Sequence, residues 1–237
     1  MNIDTAFKKI QKLEGIPLGN LFKDDSRAEV ANGHKNKGWA GQVLELVIGL
    51  KLSGNLNDLD DGEVKTTNIK NNLTKESIPI TVLNHLLDEM MDKVPWKKSK
   101  VHQKVKKFIL VPVIRDSSDW KEWTYDSPIL VSEDKLPFLY SKFEEDYDFI
   151  SSTIRETIKQ KNLLHTINGP NYLLQIRTKD NPPYKPFKYN GQVIGNKKHA
   201  IFFTSRFVRD LVNFHRGTSS TNKSSKDSTR YFFATED

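Results

Sequence analysis

The chain has no cysteine among its 237 residues, so disulfides and thiolate metal ligands play no part in it. It also lacks any apolar run long enough to span a bilayer, and the opening MNIDTAFKKIQKLEG has no signal-peptide core. Both absences fit a cytoplasmic protein without a membrane. The six histidines show no ligand spacing, which argues against zinc. No Ser-His-Asp arrangement, phosphate-cradling glycine loop or internal repeat is visible. What is present is ordinary globular material, 36% hydrophobic and 28% charged, with a net charge of +7 that favours a polyanionic partner. The length suits one large domain or two small lobes with a full core.

The informative stretch is Gly38 to Lys65, GWAGQVLELVIGLKLSGNLNDLDDGEVK. Its first part predicts an amphipathic helix with Trp39, Val43, Leu46, Val47 and Leu50 as the buried stripe. Gly38, Gly41, Glu45 and Gly49 lie on another face. Interior glycine costs a helix roughly 1 kcal/mol against alanine, so that face has a packing or functional reason. Small residues beside Glu45 would let its carboxylate approach a neighbouring strand. A polar turn follows, then a strand opening with Glu63-Val64-Lys65. Alternation along a strand turns Glu63 and Lys65 to one face and Val64 to the core. Metal-dependent phosphodiester hydrolysis needs that inventory: hard oxygen ligands and a cation near the attacking water and the phosphate. An acid, a gap and E-x-K also recur by chance, mostly at solvated strand ends. Three converging carboxylates would repel unless a cation sat among them, so their approach would imply a metal. Asp60 and Asp61 compete with Asp58 as the first ligand, and Asp61 shares strand parity with Glu63. Asp58 is preferred because Asp61-Gly62 resembles a turn or bulge that re-aims the strand.

Elsewhere, Ile3, Phe7, Ile10 and Leu13 predict a helix stopped by Gly15-Ile16-Pro17. Residues 23–37 read as a loop. Ile80 to Met91 predicts a strand edge leading into a helix, and Phe108 to Ile114 a buried strand with Pro112 near its end. Leu139, Phe143, Tyr147, Ile150, Ile154 and Ile158 predict a long helix ending near Leu164. Leu173, Gln175, Arg177 and Lys179 share one side of an alternating segment. Residues 180–198 read as an exposed basic loop, Ile201 to Phe203 as a short strand, and Phe207, Leu211 and Phe214 as the stripe of a last helix. Residues 216–237 read as a partly mobile Ser/Thr/Lys-rich tail whose Tyr231 to Phe233 docks back.

The densest basic cluster is Lys97, Lys98, Lys100, Lys104, Lys106 and Lys107. Most such runs are solvated faces; beside a phosphodiester site, phosphate contact is the better reading. An arginine such as Arg177 can pair bidentately with guanine, although a lone one is more often a surface ion-pair partner. Trp96, Trp120 and Trp123 could stack on bases, with core packing the plainer reading.

Five segments in order carry a resemblance: Leu13 to Gly19 (LEGIPLG), Lys37 to Glu45 with Ile48-Gly49, Gly62 to Thr66 (GEVKT), Val101 to Lys107 before Val111 to Val113, and Tyr172 to Lys179 (YLLQIRTK). Together they resemble the MutH family, which joins a mismatch-repair nicking endonuclease to type II restriction enzymes that cut GATC. The resemblance implies a restriction-endonuclease-like α/β fold, a mixed sheet flanked by helices, forming two lobes around a DNA cleft over residues 1–215. It implies that Glu45, Asp58, Glu63 and Lys65 are the catalytic set, with Glu45, Asp58 and Glu63 binding Mg²⁺. Lys104 matches a lysine near the DNA backbone, Arg177 the arginine that reads a guanine, and Lys179 its basic neighbour. Phe202 stands where the repair branch has a tyrosine that senses the adenine methyl state. The gap from Asp58 to Glu63 is shorter than the family's usual one, which leaves the first-ligand choice open. The implied function is a Mg²⁺-dependent type II restriction endonuclease acting on double-stranded DNA, as a monomer or a transient dimer on DNA. The alternatives are a methyl-directed mismatch-repair nicking enzyme and a non-catalytic DNA-binding effector module.

Overall fold

The computed structural model describes residues 1–21, 38–50 and 58–217. The loop expected at 23–37 lies outside them, as does the tail beyond residue 217 whose aromatics were expected to dock back. In chain order the main elements are α1 (Ile3–Gln11), α2 (Trp39–Ile48), β1 (Glu63–Ile69), β2 (Ile78–Val82), α3 (Leu87–Met91), α4 (Lys100–Val105) and β3 (Lys107–Ile114). There follow β4 (Thr124–Tyr125), β5 (Ile129–Ser132), α5 (Pro137–Lys159), β6 (Ile167–Asn168), β7 (Leu174–Thr178), β8 (Phe187–Tyr189), β9 (Gln192–Gly195), β10 (His199–Phe203) and α6 (Ser205–His215). This is the expected mixed α/β architecture. The chain divides into two compact units that interleave in sequence, with breaks near residues 76, 103, 132 and 211.

In the first unit the mixed sheet is built on β3. On one edge β1 runs parallel to it, from Glu63 opposite Phe108 to Ile69 opposite Ile114. The other edge is shared by two antiparallel partners, β5 against Lys107 to Leu110 and β4 against Val113 and Ile114. Pro112 falls where one partner has ended and the other begins, so its missing N–H breaks no ladder bond. Its carbonyl still accepts from the Asp126 amide at 2.9 Å. Ile3, Ile10, Val43, Leu44, Val64, Ile109 and Val111 form the core beneath this sheet. Trp39 packs edge-on to Trp120 at 5.0 Å and Trp123 at 6.2 Å, which gives these tryptophans the packing role rather than base stacking. The buried Tyr125 hydroxyl donates to the Ala40 carbonyl at 2.8 Å and ties α2 to the sheet.

The second unit holds an antiparallel sheet in the order β2-β10-β7-β6. All six residues of the stripe expected on α5 are buried, although the helix ends at Lys159, five residues before Leu164. Phe143, Phe203 and Phe207 meet with ring centroids 5.2 to 5.7 Å apart. Two expectations need correction. Residues 180–198 contain a β8–β9 hairpin whose Phe187 and Ile194 are buried, turned by Asn190 and Gly191 at positive φ. On α6 the buried stripe is Phe207, Val208, Leu211 and Val212, while Phe214 is 46% exposed. Among the described residues, no helix is long and apolar enough to cross a membrane.

Asp146, which no sequence pattern singles out, is fully buried on α5. Its carboxylate accepts from the amides of Asn171 (2.7 Å), Leu173 (2.8 Å) and Leu174 (2.9 Å), closing the turn that leads into β7. Gly169 is required opposite it, because a Cβ there would lie 2.1 Å from the Asp146 Cγ. This acid is structural: its oxygens are committed to backbone donors. Asp146→Ala is expected to cost about 3 kcal/mol or more by leaving several buried amides without an acceptor, read as a lowered urea midpoint.

Candidate active site

Three pieces of backbone bring the acidic residues of the first unit together. Helix α2 lies close to β1 because Gly41 has no side chain. A Cβ there would stand 3.2 Å from the Thr66 Oγ1. Glu45 lies one turn further along α2, and Gly49 ends the helix at φ +88°. Lys9 Nζ donates to the Ile48 carbonyl at 2.7 Å and satisfies one of the open acceptors at that end. Of the stripe expected on α2, Trp39 and Val43 are buried, together with Ala40, Leu44 and Ile48, whereas Leu46, Val47 and Leu50 are only half-buried.

The second piece is the turn at residues 58–62. The Leu59 amide donates to the Gly62 carbonyl at 3.0 Å. Gly62 is pressed against β3, where an added Cβ would lie 2.6 Å from the Lys107 carbonyl oxygen and 2.7 Å from Ile3 Cδ1. The competing carboxylates are accounted for here. Asp61 accepts from the Ile3 amide at 2.7 Å and pairs with Lys107 at 3.5 Å. Asp60 pairs with the Met1 ammonium at 2.9 Å. Asp58 alone of the three turns toward the strand, accepting from the Val64 amide at 3.1 Å and lying 3.5 Å from Lys65 Nζ.

The third piece is β1 itself. Glu63 is 1% exposed, yet it carries a carboxylate. Lys65 holds its Oε2, and Lys104, at the end of α4, donates to Oε1 at 2.8 Å. A buried carboxylate without such partners would be neutralised by taking up a proton. Burial raises the Glu63 pKa above the ordinary carboxylate value, with Lys65 pulling the other way and Asp58 adding to the rise. Burial likewise raises Glu45, reinforced by the charge of Asp58. Burial also works to raise Asp58, but the Lys65 charge, Glu63 and the Val64 amide outweigh it and the net shift is down. Burial opposes the charged form of Lys65, yet Glu63 and Asp58 overcome that and its pKa is raised. Neighbouring carboxyls whose pKa values are driven apart are the pattern of a site built for acid–base or metal chemistry.

Glu45, Asp58, Glu63 and Lys65 therefore share one electrostatic neighbourhood. Among the described residues, no three histidine, aspartate or glutamate side chains are gathered as a ready-made ion cage. The donor chemistry still suits a hard divalent cation, with three carboxylates and the compensating charge supplied by two lysines.

Lys104, expected near a DNA backbone, takes part in this cluster through Glu63. The basic run around it is largely paired: Lys97 with Glu133, Lys100 with Glu89 at 3.0 Å, and Lys107 with Asp4 and Asp61. The remaining residues of interest belong to the second unit. Arg177 is exposed on β7, its Nη1 donating to Ser77 Oγ at 2.9 Å, with its guanidinium carbon 5.5 Å from the Phe202 ring centre. Phe202 is 7% exposed. Lys179 is exposed just past the end of β7, and its amide donates to the Lys198 carbonyl at 2.9 Å. Ser77 escaped the sequence reading because a serine after a polar loop carries no signal until its partner is known.

The turn at residues 58–62 generates a stability prediction. Gly62→Ala is expected to destabilise the protein by about 1–3 kcal/mol, because the new methyl meets backbone rather than a yielding side chain. The same turn carries Asp58, so the loss should be read by urea unfolding beside a probe of this site.

Over 157 residues, 63% of this chain, the sequence is 29% identical to the DNA mismatch repair protein MutH of Shewanella woodyi. The match covers 66% of that relative, just under two thirds of its length. No family model matches the chain. The similarity agrees with the MutH-like resemblance carried by the motifs, and it extends over more than half of this chain.

Proposed function

We propose that this protein is a Mg²⁺-dependent DNA endonuclease that hydrolyses phosphodiester bonds in double-stranded DNA at a short site, GATC. The observation that carries the reading is the neighbourhood of Glu45, Asp58, Glu63 and Lys65, in which buried carboxylates are held beside lysines. The similarity to a MutH protein supports the same reaction class. Glu45, Asp58 and Glu63 would hold the ion. When bound, a divalent cation offsets the charge that develops on the phosphate and acidifies a water ligand.

Lys65 Nζ, kept protonated by Glu63 and Asp58, orients the attacking water and faces the phosphate oxygens. Lys104 contributes a second positive charge beside Glu63. Arg177 reads a guanine edge, with Lys179 gripping the backbone next to it. Phe202 supplies a ring face beneath Arg177 without a hydroxyl. That difference from the repair branch favours a type II restriction role. A single catalytic set per chain calls for a transient dimer on DNA, or two successive visits, to cut both strands. The natural compartment for such a chain is the cytoplasm.

A second reading has its own support in the relative's mismatch-repair name: a nicking enzyme of repair. A plasmid with one GATC site separates the two. Linear product supports restriction, and nicked circles that persist support repair. Specific binding without cleavage under any divalent metal would instead favour an effector module.

Glu63→Ala is expected to reduce cleavage by about two orders of magnitude or more while duplex binding survives. Undiminished Mg²⁺-dependent cutting by this variant would refute the site. The carboxyl shifts give a pH dependence with a definite sign. Raised folded-state values for Glu45 and Glu63 mean that the folded chain keeps protons the unfolded chain has already released. Their contribution to stability therefore falls as pH rises from about 4.5 through the raised values. An ion that must displace those protons binds better above that window. Mg²⁺ should therefore raise the melting temperature more at about pH 7.5 than at about pH 5, and an equal effect at both would contradict the assignment.

A further inference from the structure

Arg177 is an exposed arginine with no ion pair among the described residues, which departs from the usual surface arrangement. Its guanidinium is held by two neutral contacts instead, the Ser77 hydroxyl at 2.9 Å and the Phe202 ring at 5.5 Å. The sheet explains how both reach it. Arg177 pairs with Ala200 on β10, and Phe202, two residues on, lies on the same face. Phe202 in turn pairs with Pro79 on β2, two residues after Ser77. Ala200 is small and fully buried, so the arginine side chain can pass over it, cross β10 and end at the residue preceding β2.

A carboxylate at the Ser77 position would neutralise the guanidinium and occupy its paired donors. A hydroxyl fixes one N–H and leaves the charge and the other N–H groups available. Guanine O6 and N7 form a planar acceptor pair that needs this state, charged and held in one orientation. Such an arrangement contributes little to folding and mainly narrows the rotamers of the arginine.

We propose that Ser77 is a specificity-positioning residue: its hydroxyl holds the Arg177 guanidinium over Phe202 so that the remaining N–H groups present to a guanine edge. The proposal rests on the reading of this protein as a site-specific endonuclease. It also commits Ser77 to discrimination between sites and not to the hydrolytic step.

The test compares initial cleavage of an unmethylated GATC duplex with that of duplexes in which the guanine is replaced. Wild type, Ser77→Ala, Ser77→Thr, Arg177→Ala and the Ser77→Ala/Arg177→Ala double variant are assayed, each with a melting curve. Ser77→Ala is expected to reduce the kcat/KM ratio between the GATC and altered duplexes about tenfold. Its kcat on saturating GATC should stay within about twofold, the loss lying in KM, because the chemistry is untouched. Ser77→Thr, which keeps the hydroxyl, should retain the wild-type ratio. The double variant should discriminate no worse than Arg177→Ala alone, since the serine acts only through the arginine. A Ser77→Ala protein with the wild-type ratio, beside an Arg177→Ala protein that has lost it, overturns the role of Ser77 and leaves the endonuclease reading intact. A wild-type protein that cuts all the duplexes equally, or none, overturns the reading and the proposal together.

Discussion

A carboxylate withdrawn from water must find compensating charge or give up its own, and Glu63 is where this protein meets that constraint. Its oxygens are divided between Lys65 on the same strand and Lys104 at the end of α4. The rest of the first unit follows from keeping that arrangement closed. Gly41 brings α2 against β1, Gly62 brings the preceding turn against β3, and the parallel β1–β3 pairing fixes which face of the strand Glu63 and Lys65 share. An ion-paired interior of this kind is poor at stabilising a fold, since desolvation consumes most of the Coulombic gain.

The two conspicuous buried acids illustrate how environment separates structure from chemistry. Asp146 and Glu63 are equally hidden, and burial raises the pKa of both. Asp146 is surrounded by backbone amides at fixed positions, which no reaction can rearrange without undoing the turn into β7. The Glu63 oxygens are held instead by the side-chain ammonium groups of Lys65 and Lys104. A perturbed pKa alone would rank the two together. The chemistry of the compensating partner tells them apart, backbone amides in one case and lysine side chains in the other.

Much of the fold was legible because its signals are periodic. The six-residue stripe of α5, the apolar run of β3 and the alternation that turns Glu63 and Lys65 to one face all follow from side-chain direction and are found as expected. The misses are of another kind. The β8–β9 hairpin was hidden by its prolines and lysines, although Asn190-Gly191 between two short runs is a hairpin signal in its own right. Phe214 was placed on the buried stripe of α6 by spacing, but the buried positions there are Phe207, Val208, Leu211 and Val212. The lysines from 97 to 107 looked like one basic surface, and their acidic partners come from segments distant in sequence, at Asp4, Asp61, Glu63, Glu89 and Glu133. Charge runs can be counted in a sequence, but pairing depends on tertiary contacts.

The choice among Asp58, Asp60 and Asp61 shows the same limit at the scale of a single turn. Sequence parity favoured Asp61, and turn chemistry favoured Asp58. What decides between them is the packing of α1: the Ile3 amide takes Asp61 and the Met1 ammonium takes Asp60, which leaves Asp58 facing Lys65. The first helix, which contributes no residue to the cluster, thus selects which acid enters it. Competing donors some 60 residues away in sequence are invisible to any local pattern. The geometry of this cluster is therefore set as much by what draws Asp60 and Asp61 aside as by what holds Asp58 and Glu63 in place.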